Sequence, residues 1–125
     1  QLKYLDEMVS RRQKNYKQME KIYRNPDFIK MKRSGLSTVS NFAFPLICKT
    51  KKLKEKYMGL AKKAGIEIRP IVAGNINNQV FFKKYIKTKY ELPNAENVHK
   101  LGFYFGNNPD ITQKEIRILI KTFSK

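Results

Sequence analysis

Residues Arg69 to Phe82 read RPIVAGNINNQVFF, an Arg-Pro pair, a Gly-Asn turn and a doubled aromatic. These residue types suit a connection between two elements, and they suit a binding segment equally well. Chemistry elsewhere in the chain is thin. Cys48 is the only cysteine and ends an apolar alternating stretch, so an inert buried thiol is expected there, in a reducing compartment and with no internal disulfide. His99 is also alone, and one His with one Cys falls short of the three or four ligands of an N/S zinc site. The ten acidic residues are scattered. Asp6, Glu7, Glu55, Glu96 and Glu115 fall on helical patterns, where pairing with lysine is their ordinary use. No nucleophile elbow, phosphate loop, dinucleotide fingerprint or zincin motif occurs. A free-standing catalyst needs convergent groups, and this chain offers no catalytic or metal-ligating set.

The net charge of +17 invites a nucleic-acid reading. Arginine, the usual bidentate reader of bases and phosphates, occurs only at Arg11, Arg12, Arg24, Arg33, Arg69 and Arg117. The lysines fall in several separate runs, including RRQKNYK, KTKKLKEK and FFKKYIKTK, rather than in one stripe. A solvated or partner-facing surface is therefore preferred to a nucleic-acid site. A basic module for nucleic acid or another polyanion is kept as the alternative of a different class. No run of eighteen apolar residues exists, so no transmembrane helix is expected. The chain opens on Gln1 rather than Met and runs straight into an amphipathic pattern without a signal peptide. A processed or trimmed chain, or a piece of something longer, is the expectation, with a cytoplasmic location.

The elements that must position any site follow from periodicity. Leu2, Leu5, Val9, Tyr16, Met19 and Tyr23 recur at helical spacing, and Pro26 in RNPDF ends that helix. Its apolar seam is narrow, so it must lean on another surface. VSNFAFPLIC alternates as a strand, with Pro45 marking an edge or an end. A second helix runs from about Thr50, with Leu53, Tyr57, Leu60, Ala61 and Ala64 on one stripe and Gly65 as its stop. IEIRPIV reads as a second strand, in which Pro70 keeps Arg69 extended. Phe81, Phe82 and Tyr85 belong to a short helix and Asn94–Lys100 to another. LGFYFGNNPD gives a third strand, closed by a turn at Gly106-Asn107-Asn108-Pro109. Thr112 and Glu115 then cap a last helix in box spacing, with Ile116, Leu119, Ile120 and Phe123 buried. The fold expected is α+β, a small, mostly antiparallel sheet of about three strands flanked by helices.

The order of these motifs resembles one family, the DegT/DnrJ/StrS-type sugar aminotransferases. QLKYLDEMVSRRQKNY is similar to the Q-L-x-x-L-D-E helix that follows their large domain. SNFAFPLIC resembles their next strand, AKKAGIEIRPIVAGNINNQVFF their R-P-x-x-A-G-N segment, and ELPNAENVHKLGFYFGNNPDIT their N-A-D-x-I-H and G-F-x-x-G-N-H-P run. The likeness spans the chain from end to end. It implies the C-terminal small domain of a fold-type I enzyme dependent on pyridoxal phosphate (PLP), of small-domain type. Residues 1–24 would form a linking helix and 25–125 the small domain, with the large PLP-binding domain absent. The cofactor would be bound mainly by that missing domain, which carries the Schiff-base lysine. Implied partners are a nucleotide-linked keto-deoxysugar and an amino donor, with a homodimer in full-length members or a separate large-domain chain. Cell-surface polysaccharide, lipopolysaccharide or deoxysugar biosynthesis is the implied setting. One branch with the R-P-x-x-A-G-N version holds 3-dehydratases, in which His replaces the Schiff-base Lys.

In such a small domain the R-P-x-x-A-G-N segment would face the cofactor. Arg69, the lone arginine of a long tract, could pair with a donor carboxylate or a nucleotide phosphate, or form a structural ion pair with Glu67 or Glu91. Asn75 and Gln79 could offer amide hydrogen bonds to a sugar, and Asn107 completes the set of substrate-binding candidates. Gly74 is expected to serve the turn. Asn108 stands where many relatives carry His, and His99 matches the family's I-H pair, with a packed or capping role expected.

Overall fold

Pro45 shows how the sheet is laid out. The computed structural model describes residues 2–32, 34–72, 74–88 and 90–124. Gln1, Arg33, Ala73, Lys89 and Lys125, which belong to the expected linking helix, the loop after it, the R-P-x-x-A-G-N segment, the FFKKYIKTK run and the C-terminal end, lie outside the described residues. Strand β1 (Ala43–Ile47) pairs antiparallel with β2 (Gly102–Gly106), and Pro45 sits opposite Tyr104. The amide and carbonyl of Tyr104 are spent on the other side, on the carbonyl and amide of Arg69 at 2.8 and 2.9 Å. Pro45 is therefore not asked for an N–H toward β2, and its outward carbonyl accepts from the Tyr23 hydroxyl at 2.6 Å. A proline is tolerated in a strand only in such a place.

The sheet is smaller than the alternation suggests. The second expected strand, IEIRPIV, shrinks to a single bridge, Arg69 with Tyr104. Pro70 fixes the backbone immediately after it, and the ladder goes no further. A matching bridge on the far side joins Phe28 to Cys48. The α+β class holds, with two strands and two single-residue extensions.

Helices cover one face. Helix α1 (Leu5–Met19) is preceded by a 3₁₀ turn, Leu2–Tyr4, and runs into another, Glu20–Arg24. Only its second half is anchored, through Tyr16 and Met19, with Ile22 just beyond. Helix α2 (Lys51–Lys63) starts on the Thr50 hydroxyl, which accepts from the Leu53 amide. It stops at Gly65, whose φ of +68° lets the Ile66 amide reach back to the Ala61 carbonyl at 2.9 Å and Gly65 to Lys62. Helix α3 (Val80–Tyr85) and helix α4 (Pro93–Leu101) follow. Helix α5 (Gln113–Phe123) carries the expected capping box at Thr112 and Glu115.

Sheet face and helices meet in an aromatic core. Phe44 and Phe105 stack at 5.2 Å between centroids, and Phe105 stacks on Phe123 at 5.3 Å. Leu46, Phe103, Tyr57, Ile116 and Leu119 fill the rest. One polar network is buried with them. The Tyr57 hydroxyl donates to Asp27 at 2.7 Å and accepts from Asn25, whose amide also caps the Phe123 carbonyl at 2.9 Å. It ties the loop after α1 to both α2 and the end of α5. Among the described residues no helix is long and apolar enough to cross a membrane.

Candidate functional site

The Arg69–Tyr85 segment crosses the edge of β2 and then leaves the sheet. At its start Arg69 is exposed. Its guanidinium holds Glu67 through Nη2 at 2.7 Å and Nε at 2.9 Å, with both side chains more than half open to solvent. That hydrogen bond, with the Glu67 charge behind it, raises the Arg69 pKa further. Exposed pairs of this kind contribute about 0–1 kcal/mol and exchange partners readily. The guanidinium borders a shallow hollow with Phe42 and Tyr104, and beside it Phe42, Pro45, Ile71 and Val72 line a more apolar one.

Asn75 has a different place. It is 4% exposed, its side-chain Oδ1 accepts from the Asn77 amide, and its Nδ2 donates to Glu96 at 2.8 Å. Glu96 also takes Asn78 at 2.8 Å and Lys100 at 2.9 Å. Those hydrogen bonds, Lys100 first and the two asparagines after it, hold its pKa down at about 2. The sequence makes the Glu96–Lys100 pair legible as an i,i+4 contact on α4. It gives no local signal that the same carboxylate clamps a turn about twenty residues upstream. Gly74, at φ +52°, packs against the His99 ring, and a Cβ there would collide with it. The 74–79 turn is thus fastened to α4 from two sides.

Gln79 is half-buried at the N-terminus of α3, and its carbonyl accepts from the Lys83 amide. Asn107 is wholly buried, away from this turn. Its amide donates to the Asn41 carbonyl at 2.8 Å and the Arg12 carbonyl at 3.1 Å, joining α1 to the approach of β1. Its Oδ1 has no protein partner, and neither does the buried Nε of Arg12. Arg69, Asn75 and Gln79 therefore share one segment, and Asn107 stands apart from them.

Apolar side chains surround that segment without covering it. Val72, Val80, Phe81, Tyr85 and Tyr90 are exposed, and Phe82 touches the Tyr90 ring edge-on. Cys48 is fully buried, and burial pushes its thiol up to about 11, which leaves it unreactive at neutral pH. A PLP site that aminates needs a buried lysine within reach of the cofactor. The described lysines are exposed except Lys54, which is half-buried and donates to the Lys100 carbonyl at 2.9 Å. The described residues do not by themselves fit that cofactor.

The comparisons with known proteins agree on where such a piece belongs. No curated protein matches the chain. A GDP-4-keto-6-deoxymannose-3-dehydratase with a trapped PLP-glutamate geminal diamine superposes with a TM-score of 0.83 at 30% identity. An E. coli GDP-4-keto-6-deoxy-D-mannose-3-dehydratase with bound hydrated PLP gives 0.81 at 27% identity. The sugar aminotransferase CalS13 from Micromonospora echinospora gives 0.79 at 15% identity, a likeness of fold alone. Each match covers 98% of this chain and 32% of the other, so this chain spans about a third of the length of those structures. Residues 1–124 match the DegT/DnrJ/EryC1/StrS aminotransferase family, and the chain belongs to that family.

Proposed function

We propose that this chain is the C-terminal portion of a PLP-dependent enzyme that aminates a nucleotide-linked keto-deoxysugar, and that it supplies the closing wall of the active site. The family match over residues 1–124 carries the reading. PLP, when bound by the remaining part of the enzyme, supplies the electron sink for the reaction. What this chain contributes is binding and exclusion of water. Arg69 would leave Glu67 for a donor carboxylate or a nucleotide phosphate, an exchange that costs little between exposed groups. The Glu96 clamp would hold the 74–79 turn so that Gln79 and the open aromatic side chains meet the substrate side. Asn75 would shape that turn from within rather than touch the sugar, and Asn107 would fix the angle between α1 and the sheet. Residues 1–24 would act as the linking helix and 25–125 as the small domain. Leu2, Tyr4 and Leu5, exposed on the first turns, suit a helix continued into further structure. The enzyme's setting would be deoxysugar or surface-polysaccharide synthesis in the cytoplasm.

Dehydration at C3 is the second reading. The relatives at 27% and 30% identity favour it, since both are 3-dehydratases by name. The coding sequence upstream of Gln1 separates the two. A lysine in an S-x-x-x-x-K context there supports amination, a histidine in its place supports dehydration, and a genome with a large domain neither upstream nor as a separate chain removes both.

A further inference from the structure

Pairing among the basic residues is uneven. Arg11, Lys51, Lys56, Arg69 and Lys100 each lie within 2.6–3.9 Å of a carboxylate. At the C-terminal end of α1 a cleft of about 810 Å³ is lined by Lys17, Lys21, Arg24, Lys30 and Lys32, with Glu20 as its one acid. None of those five cations is ion-paired among the described residues. Lys21 and Arg24 also line an adjoining cleft, where Asp27 already holds Lys56. Neither cleft shares a residue with the hollows beside Arg69.

Like charges on one concave wall repel each other and focus a positive potential that draws anions. The wall has few other means of recognition. Tyr23 stacks its ring on Phe44 at 5.0 Å and gives its hydroxyl to Pro45, so it is not a platform for a nucleobase. An acidic peptide in extended form places same-side carboxylates about 7 Å apart. Five cations line this one cleft, and directly linked phosphates present their charges closer together than that. Lysine ammonium groups bind phosphate as compact point charges.

We propose that this cleft binds an oligophosphate, a run of directly linked phosphates such as inorganic polyphosphate or the triphosphate of a nucleotide. The test is calorimetric titration of the full chain with sodium tripolyphosphate at about 50 and 200 mM salt. ATP and a single-stranded oligodeoxynucleotide of matched charge form parallel arms. Saturable one-site binding that weakens with salt is expected, reduced by about tenfold or more in Lys21→Glu/Arg24→Glu. Lys83→Glu/Lys84→Glu, which reverses two charges on α3, should change affinity by less than about twofold. Should the first pair unfold the chain by circular dichroism, Lys17→Glu/Lys30→Glu reads the same site. Equal affinity for ATP supports the nucleotide as the source, and preference for tripolyphosphate supports the inorganic polymer. Absent binding, equal weakening by both double variants, or tighter binding of the oligonucleotide overturns the proposal.

Discussion

Phe105 and Phe81 are the same residue type in opposite circumstances. Phe105 is 2% exposed between Phe44 and Phe123, whereas Phe81 is 58% exposed on a helix of six residues. The first region is held by area removed from water on a face that three helices and a sheet share. The second is held by backbone turns and by hydrogen bonds to one carboxylate, Glu96. Hydrophobic burial is indifferent to whether its partner lies on the same chain. An apolar cluster left open on a polar-clamped segment is what a surface made for another body looks like.

That comparison breaks first on truncation. Phe44→Ala should cost about 3–5 kcal/mol in urea unfolding, since it opens a cavity under the sheet. Phe81→Ala should stay within about 0.5 kcal/mol. Equal costs would mean that the second region is packed as tightly as the first. Gly74→Ala comes next, at about 1–2 kcal/mol for a left-handed backbone, with faster amide exchange confined to the 74–79 turn and α4. A loss spread over the whole core would contradict the separation of the two regions.

Smaller effects sharpen it. Arg69→Ala should leave stability within about 1 kcal/mol, because its partner Glu67 is as exposed as it is. A larger loss would make Arg69 a structural residue. The pH response of the clamp is local. Glu96 titrates near 4.5 when unpaired and at about 2 when held, so the clamp's contribution is complete above about 4.5 and is lost as pH falls toward 2. Protection of the Asn77 and Asn78 amides relative to their intrinsic exchange rates should fall across that window, and in Glu96→Gln the loss should be present already at neutral pH.

How much of this the sequence shows depends on the range of the interaction. The capping box of α5 and the Gly65 stop of α2 are local devices, written within a few residues, and both stand as the pattern indicates. The core stripe of α5 follows in the same way, because Ile116, Leu119 and Phe123 repeat with the helix period. The strand expected at IEIRPIV is overstated because alternation at Ile66 and Ile68 reports burial, and both residues do pack on the core without a ladder. The Glu96 clamp and the burial of Asn107 join residues that are 18 to 95 positions apart. Neither leaves a mark in local spacing. The family resemblance supplied the likeness of the segment, but not which of its polar groups stay open: Arg69 does, and Asn75 does not.

On the proposed function the chain holds part of an active site whose cofactor-anchoring residue lies elsewhere. Its most direct test is to incubate the purified chain with PLP and glutamate and follow 2-oxoglutarate and pyridoxamine phosphate. Formation no faster than with free lysine at the same amine concentration is expected. Stoichiometric PLP binding with glutamate-dependent turnover by this chain alone would contradict it.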